Sequence, residues 1–454
     1  MSKNKFPVSI MILLVCMVGF LSACQDASSI QAMPASKTAY PSPQQTTPAG
    51  SVPVKVSVPA SMRSSPFDVD RTLNIPPNFK VAVYARIPGA RFMAVAPNGD
   101  LLVSEPGDGK VVLVRPNTKG DPSIFNFVTG LRKPHDIVFH TIGTTTYVYI
   151  SETNEINRFI YHTGDTTAHN RQVVVSGLPD SSSPELHGAY GHELKNIALD
   201  SNDKLYVSLG STCNACTSDT ESNPKRAAIY QYNADGSNGH LYAQGMRNAE
   251  GLAFVPSTNN LWIAVNNRDN IEYPFQDASG NYQKVVPAYV DNHPPEEFIS
   301  VRAGGNYGWP FCNPDPGTTI NNMPFDRDVE FNADGHVDCS KMDSVTKGIQ
   351  AHSAPLGLTF LQNTNAPALY RNGALIALHG SWNRTSKTGY KLIYFPWNAA
   401  TQTPGDQIDL VTGWLDTTKQ EVWGRPVDSA VDPQGNILIS DDLSGTVYKL
   451  TYTA

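Results

Sequence analysis

The chain has 454 residues, 40% of them hydrophobic, which is enough for a sizeable core and excludes wholesale disorder. Only 17% of the residues are charged and the formal net charge is −7, which argues against nucleic-acid binding because phosphate contacts need a basic surface. The 34 glycines and 34 prolines indicate many turns. This composition is typical of a turn-rich, soluble β protein.

The N-terminal segment predicts export. Two lysines precede an apolar stretch over residues 8–20, which is followed by Leu-Ser-Ala before Cys24. These features describe a secretory signal peptide rather than a membrane span. The cysteine resembles that of a bacterial lipoprotein cleavage box, so we predict a signal peptide over residues 1–23 and lipidation of Cys24, with ordinary secretory cleavage as the alternative. Gln25 favours the outer membrane, and we expect the anchored protein to face the periplasm.

The segment after the cleavage site predicts a tether. Residues 24–66 are rich in Ser, Thr, Pro, Gln and Ala and have almost no clusters of large aliphatic side chains. Such a segment buries too little apolar surface to offset the entropy lost on ordering. We therefore expect a flexible linker between the lipid anchor and a folded domain over residues 67–454.

One pattern recurs along this domain: a short apolar strand, a polar turn and a second apolar strand. The second strands begin near residues 102, 147, 205, 261, 375 and 437. Most intervals are 45 to 62 residues, and one of 114 residues indicates a long insertion or a missed unit. Recurring hairpins at this spacing predict an all-β, six-bladed β-propeller, with seven blades as the alternative. Residues 79–87 are expected to complete the last blade and close the ring.

Candidate functional residues stand where the inner strands of successive repeats begin. His192 precedes the third repeat, and an imidazole with a pKa of about 6.5 suits removal of a hydroxyl proton. Arg247 and Asn248 occupy the equivalent position in the fourth repeat, and Arg384 and Arg425 those in the fifth and sixth. Three guanidinium groups in one place predict an anionic ligand. A packing histidine and surface arginines are the alternatives.

The long insertion is a candidate cation site. Asp269 and Glu297 lie within it, among residues whose main-chain carbonyls are expected to be exposed. Such oxygen atoms suit calcium, which takes about 6–8 oxygen ligands. The spacing does not match an EF-hand loop, and acidic residues on a solvated loop are the alternative.

Four cysteines lie beyond the predicted lipidation residue, and an even number in an exported protein predicts disulfides. We favour the pairs Cys213–Cys216 and Cys312–Cys339. A redox motif or half of a zinc site is the alternative for the close pair. No second close pair completes a zinc site, and no histidine follows Cys216, which excludes c-type haem attachment.

Taken together, these motifs resemble the soluble pyrroloquinoline quinone (PQQ)-dependent sugar dehydrogenases, most closely their L-sorbosone dehydrogenase-like branch. The resemblance covers about residues 78–450, and the order of its motifs is more specific than any one of them. The motifs are His192 with residues 195–196, then residues 245–252, 306–310, 352–358, 380–384 and 424–426. The resemblance implies a six-bladed propeller that holds PQQ at one end of its channel, beside a calcium ion.

The resemblance also implies catalytic roles. His192 would take the proton of the C1 hydroxyl of an aldose or sugar aldehyde while hydride passes to the C5 carbonyl carbon of PQQ. Arg247 would assist as a second catalytic residue by stabilising charge on the cofactor oxygen. The implied contacts of PQQ are Arg247, Asn248, Asn383, Arg384 and Arg425.

The implied calcium ligands are the Arg268 backbone, Asp269, Glu297 and Tyr307. Arg268 and Asp269 stand where the glucose-oxidising members have a Gly-Pro pair, and Val427 replaces the second of two arginines near the last blade. Implied partners are a small sugar and an electron acceptor, a quinone or a cytochrome. A calcium-dependent sugar-lactone hydrolase and a non-catalytic binding propeller are the competing functions.

Overall fold

The computed structural model describes residues 50–317, 320–362 and 364–453, and these residues form a six-bladed β-propeller. Each blade is an antiparallel sheet, and the six innermost strands contact one another in a ring around the axis. The all-β, six-bladed prediction is therefore confirmed. The predicted signal peptide and Cys24 lie outside the described residues. Within the described ranges, no helix is both long and apolar enough to cross a lipid bilayer.

Three strands precede the first blade: β1 (Val52–Lys55), β2 (Thr72–Ile75) and β3 (Phe79–Arg86). Blade 1 contains β4 (Met93–Val95), β5 (Leu101–Glu105), β6 (Lys110–Arg115) and β7 (Ser123–Thr129). Blade 2 contains β8 (Ile137–Ile142), β9 (Thr145–Ser151), β10 (Ile156–Ile160) and β11 (His169–Val175). Blade 3 contains β12 (Ile197–Leu199), β13 (Lys204–Leu209), β14 (Ala228–Asn233) and β15 (His240–Gln244).

Blade 4 begins with β16 (Asn248–Phe254), β17 (Leu261–Asn266) and β18 (Glu296–Val301). The insertion that follows contains β19 (Gly305–Asn306), β20 (Cys312–Pro314), β21 (Asn321–Met323), β22 (Phe325–Arg327) and β23 (Val345–Ile349). Blade 5 contains β24 (Pro355–Leu361), β25 (Gly373–Leu378), β26 (Lys391–Asn398), β27 (Thr403–Pro404) and β28 (Ile408–Val411). A hairpin of β29 (Leu415–Asp416) and β30 (Glu421–Val422) leads to blade 6, with β31 (Pro426–Val431), β32 (Ile437–Asp441) and β33 (Thr446–Tyr452).

Helical elements are short. The described residues include two α-helices of four residues each, α1 (Ser218–Glu221) and α2 (Pro287–Val290). The 3₁₀ turns are Ala60–Met62, Pro106–Asp108, Pro184–Leu186, Cys339–Lys341 and Ala368–Tyr370.

The ring is closed by the N-terminal part of the chain, as predicted. Strand β3 pairs antiparallel with β33, with Phe79 opposite Tyr452 and Arg86 opposite Thr446. Blade 6 is thus built from both ends of the domain. This pairing covers the edge of β33 that would otherwise expose unpaired main-chain groups.

The fold begins earlier than the predicted boundary at residue 67. Strand β1 pairs with β2, and Ser57 forms a bridge to Ala82. Val56 is only 1% exposed and belongs to the same apolar cluster as Phe67. The predicted tether therefore overlaps the folded domain over residues 50–66.

The interval of 114 residues is a long insertion within blade 4 and not a missed blade. A loop over residues 267–295 separates β17 from β18, and the two strands are nevertheless neighbours in one sheet. A second excursion lies between β18 and β23, which pair with each other. The Cys312–Cys339 disulfide closes this excursion. The second predicted disulfide, Cys213–Cys216, is also present, so both predicted pairs are confirmed.

The blades bury strands on both faces. All six residues of β25 are buried, and they alternate between two apolar clusters on its two sides. Double burial explains why hydrophobic and polar residues do not alternate regularly in the inner strands. At the axis, Phe92, Leu356 and Val427 from blades 1, 5 and 6 pack together.

Candidate active site

The predicted residues His192 and Asn248 are neighbours at one end of the propeller. In an antiparallel blade, the start of the innermost strand and the end of the second strand lie at the same end. His192 precedes β12, Asn248 begins β16, and Gly210 follows β13. A Cβ atom on Gly210 would lie 2.5 Å from Asn248 Oδ1 and 2.7 Å from the His192 Cβ. The absence of a side chain at Gly210 therefore allows these two residues to approach each other.

The imidazole of His192 is oriented by the main chain of blade 3. Its Nδ1 lies 2.8 Å from the carbonyl oxygen of Ser211 and 3.0 Å from the Ser211 hydroxyl. In the neutral ring, Nδ1–H donates to the carbonyl, so Nε2 carries the lone pair. Burial and the nearby charge of Arg247 lower the pKa of His192 to about 4. The ring is thus an unprotonated base at neutral pH.

The guanidinium of Arg247 is buried and held on three sides. Its Nε donates to the Asn214 carbonyl at 2.9 Å, and Nη1 donates to the Asn267 carbonyl at 2.8 Å. Nη2 lies 3.4 Å from Asp269 Oδ2. Burial lowers the pKa of Arg247, although an arginine retains its charge under these conditions. A fixed cation therefore lies close to His192.

Asn248 is oriented by a buried, hydrogen-bonded Glu250–His135 pair that sequence reasoning missed. Its Nδ2 donates to Glu250 Oε1 at 3.0 Å, and Glu250 Oε2 lies 3.0 Å from His135 Nε2. Desolvation raises the pKa of Glu250, but the hydrogen bond from His135 outweighs it and lowers the pKa. Burial lowers the pKa of His135, so the ring is a neutral hydrogen-bond donor to the carboxylate. The His135 ring packs against Phe92 at a centroid distance of 4.4 Å. These contacts connect the site to the axis of the propeller.

Asp269 joins residues from three parts of the chain. Its Oδ1 is 3.3 Å from His352 Nδ1 and 3.4 Å from Asn383 Nδ2, while Oδ2 faces Arg247. Asn383, predicted to contact the cofactor, therefore belongs to the same group as Arg247. His352 Nε2 is also 2.7 Å from the Val290 carbonyl. The bond to Asp269 raises the pKa of His352, although burial opposes this shift.

A buried carboxylate oxygen without a partner lies next to this group. Asn267 Nδ2 donates to Glu297 Oε1 at 2.8 Å, whereas Glu297 Oε2 is buried and has no hydrogen-bond partner among the described residues. Burial and the neighbouring Glu296 raise the pKa of Glu297 well above its usual value. Glu296 is fully used, since its oxygens accept from the amides of Asn267 and Ala354. A cation at Glu297 Oε2 would compensate its charge.

The side chains of Arg268, predicted as a ligand through its main chain only, and of Tyr307 are bonded to other residues. The Arg268 guanidinium pairs with Asp328 at 2.6 Å and Glu330 at 2.9 Å in the insertion. The Tyr307 hydroxyl donates to the Ser300 carbonyl at 3.0 Å. Ser300 lies three residues beyond Glu297 on β18, about 10 Å away by the rise of a strand. The structure therefore does not bring the Tyr307 side chain to Glu297.

Arg384 and Arg425 are held by main-chain carbonyls. Arg384 Nη1 donates to the carbonyls of Asp291 and Ala351, the latter at 3.3 Å. Arg425 Nε donates to the His379 carbonyl at 3.0 Å. Neither guanidinium forms an ion pair within the part of the chain that the structure describes. Burial lowers the pKa of Arg384, and the nearby charge of Asp291 opposes this shift. The Arg425 guanidinium lies over the Tyr390 ring, 5.9 Å from its centroid. Among the described residues, neither cation is bonded directly to a carboxylate.

Sequence reasoning missed the residues that support the predicted ones. Ser211, Asn214, Asn267 and Glu250 each hydrogen-bond a predicted site residue. Asn214 lies between the disulfide-bonded cysteines 213 and 216, and this position in a cross-linked loop is the sequence feature that could have predicted its role. Cys213, Cys216 and Asp219 lie close enough together to resemble a metal site, but the disulfide occupies both sulfur atoms.

Comparisons with known proteins cover most of the domain. A family model described as TrAA12-like matches residues 74–453. The chain is 27% identical over 396 residues to an uncharacterised protein of Borreliella burgdorferi, covering 85% of this chain and 92% of that protein. It is 23% identical over 354 residues to a pyrroloquinoline quinone-dependent sugar dehydrogenase of Hypocrea jecorina, covering 70% of this chain and 74% of that protein.

Solved structures share the fold. The holo form of the PQQ domain of pyranose dehydrogenase from Coprinopsis cinerea has a TM-score of 0.69 and 20% identity, covering 84% of this chain and 97% of that chain. The calcium structure of a Carbohydrate-Active Enzymes Family AA12 protein from Trichoderma reesei also has a TM-score of 0.69 and 20% identity, covering 84% and 96%. These similarities agree with the propeller described above.

Proposed function

This chain belongs to the TrAA12-like family, and on that basis we propose that it is an oxidoreductase that binds PQQ and oxidises a sugar. The observation that carries the proposal is the composition of one end of the propeller. A neutral imidazole with an available Nε2 lies beside the buried Arg247, and neither Arg384 nor Arg425 forms an ion pair with another residue of the described ranges. This arrangement combines a base with cations that suit an anionic cofactor.

The residues present fit PQQ, an orthoquinone with three carboxylates. Arg384 and Arg425 would pair with carboxylates, because their own hydrogen bonds go to main-chain carbonyls. Arg247 and Asn248 would contact the quinone oxygens, with Asn383 beside them. When bound, PQQ would act as the two-electron oxidant of the sugar. The Hypocrea jecorina relative is by its name PQQ-dependent, which supports the same cofactor here.

The chain itself supplies a base and a fixed charge. His192 Nε2 accepts the proton of the C1 hydroxyl of an aldose or sugar aldehyde, while the Ser211 carbonyl holds the ring in the required tautomer. Arg247 stabilises negative charge that develops next to it, and the loss of solvent strengthens this interaction. Because Arg247 is already bound on three sides, little reorganisation is needed during reaction.

We propose calcium as the second cofactor, with Glu297 as its principal side-chain ligand. The support is the buried Glu297 Oε2, which has no protein partner among the described residues, and the calcium form of the Trichoderma reesei structure. The Arg268 backbone and Asp269 remain the other proposed ligands, whereas Tyr307 is not retained because its hydroxyl is bonded to the Ser300 carbonyl. A divalent ion at Glu297 would compensate a buried carboxylate and act as a Lewis acid near the cofactor.

The cellular setting is also a proposal. The N-terminal motif supports lipidation at Cys24 and an enzyme held on the periplasmic side of the outer membrane. Electrons from the sugar would then pass to a quinone or a cytochrome. The sugar is proposed as an aldose or a sorbosone-type aldehyde.

Reconstitution tests this function. Purified apoprotein is mixed with PQQ and calcium, and reduction of a dye is followed with a panel of aldoses and sugar aldehydes. We expect dye reduction that requires both PQQ and a sugar. Hydrolysis of sugar lactones without PQQ would instead support a calcium-dependent lactone hydrolase, and the absence of both activities would support a binding propeller.

A further inference from the structure

The loop closed by the Cys213–Cys216 disulfide contacts the proposed active site, since Asn214 is hydrogen-bonded to Arg247 and Asp269. We propose that Asn214, carried by this loop, is a positioning residue that fixes the Arg247 guanidinium and the Asp269 main chain for PQQ binding, and that the disulfide keeps Asn214 in place. This inference rests on the proposed function. It assigns the close cysteine pair a role in the geometry of the site.

Every polar group of the Asn214 side chain is used at this position. Its Oδ1 accepts from Arg247 Nη2 at 3.1 Å and from the Asp269 amide at 2.7 Å. Its Nδ2 donates to the Asp269 carbonyl at 2.8 Å. The Asn214 carbonyl accepts from Arg247 Nε at 2.9 Å and from Trp309 Nε1 at 3.3 Å. Asn214 thus connects a loop of blade 3 to Arg247 and Asp269, the two predicted site residues that precede and follow the first two strands of blade 4.

The same loop also orients the base. The Ser211 hydroxyl donates to the Cys213 carbonyl at 2.7 Å, and the Ser211 carbonyl faces His192 Nδ1. The Ser211 amide donates to the Arg247 carbonyl at 2.8 Å. His192 and Arg247 are therefore braced by one short segment, which sets their relative orientation.

The disulfide restrains the part of the loop that has no apolar anchor. The start of the loop is secured by buried Asp219, which accepts from the amide and hydroxyl of Thr212 at 2.7 and 2.8 Å. Residues 213–216, by contrast, are only half-buried. A segment with few buried contacts opens readily unless it is cross-linked or hydrogen-bonded. Loss of the disulfide should therefore loosen Asn214 before it affects the rest of blade 3.

The first test is the variant Asn214→Ala, in which PQQ binding to the apoprotein is measured by absorbance titration in the presence of calcium. We expect the Kd for PQQ to rise about tenfold, because a charge-assisted bond to Arg247 and two bonds to Asp269 are lost. In reconstituted enzyme we expect kcat to fall while the sugar KM changes less than about twofold. The control is Asn202→Ala, at an exposed asparagine in the turn between β12 and β13.

The second test is the double variant Cys213→Ser/Cys216→Ser, which retains every polar group of Asn214. We expect a rise of about threefold or more in the Kd for PQQ, with cooperative thermal unfolding retained. If Asn214→Ala does not fold, the PQQ affinity of this double variant tests the inference instead. A PQQ affinity and kcat equal to the wild type in both variants would overturn the inference, and a lower unfolding temperature alone would assign the loop a structural role only. If the wild type itself fails to bind PQQ, the proposed function fails and this inference fails with it.

Discussion

The two sides of the proposed active site are built differently. On the side of blades 3 and 4, His192 and Arg247 are enclosed by hydrogen bonds from the disulfide loop and from Asn267. On the side of blades 5 and 6, the hydrogen bonds that Arg384 and Arg425 form within the described residues go to main-chain carbonyls, and Arg425 also lies over the Tyr390 ring. The first side satisfies its own charges and fixes geometry, whereas the second leaves positive charge for a ligand. We infer that the first side performs proton transfer and contacts the quinone oxygens, whereas the second side holds the carboxylates of the anionic cofactor.

The largest expected effect is that of His192→Ala. Removing the base should lower kcat by about 10²–10⁴-fold, because general-base catalysis contributes on that scale. PQQ affinity should change less than about twofold, since the cations are intact. Steady-state dye reduction and PQQ titration measure the two quantities, with His162→Ala at an exposed histidine as the control. Full turnover in His192→Ala would remove His192 from the catalytic role.

The opposite pattern is expected on the side of blades 5 and 6. Arg384→Ala or Arg425→Ala should weaken PQQ binding about tenfold or more, because each removes a guanidinium available to a carboxylate. The kcat at saturating PQQ should change much less. Arg371→Ala is the matched control, since Arg371 also donates to a main-chain carbonyl at 2.8 Å but lies beside β25 at its opposite end. Unchanged affinity in both variants would contradict the division of roles.

The architecture was accessible from the sequence because its determinants are local. Each hairpin contributes two apolar strands and a polar turn, so the repeat is visible along the chain, and the order of strand starts placed His192 and Arg247 at equivalent positions. The start of the fold was not accessible. Strand β1 has a mostly exposed surface and alternates valine with proline and lysine, so its pairing with β2 is apparent only in three dimensions.

The supporting residues depend on contacts between distant segments. Asn214 reaches Asp269 across 55 positions, and His135 reaches Glu250 across 115. No periodicity or spacing encodes such contacts. The predicted metal ligands show the same limit: Glu297 has a carboxylate oxygen without a hydrogen-bond partner in the described part of the chain, while the Tyr307 hydroxyl is bonded to Ser300. Residue type and order alone do not distinguish these two environments.

A pH titration sharpens the account of the first side. The pKa of His192 is lowered to about 4 by burial and by the charge of Arg247, so the base is neutral above that pH. We expect kcat/KM to be insensitive to His192 from neutral pH down to about 5, and to fall about tenfold per pH unit well below 4. An acid limb near pH 6.5, the value of an unperturbed imidazole, would contradict this environment for His192.

The smallest expected effect concerns Trp382, which precedes Asn383 on the side of blades 5 and 6. Its side chain is 75% exposed and therefore accessible to a ligand. An indole face beside the site suits the C–H face of a sugar ring. Trp382→Ala should raise the sugar KM about threefold and leave kcat and PQQ affinity unchanged, as steady-state kinetics can show. Leu369→Ala, at an exposed residue in the loop before β25, is the control. An equal KM in both variants would place sugar recognition away from Trp382 and confine the role of blades 5 and 6 to the cofactor.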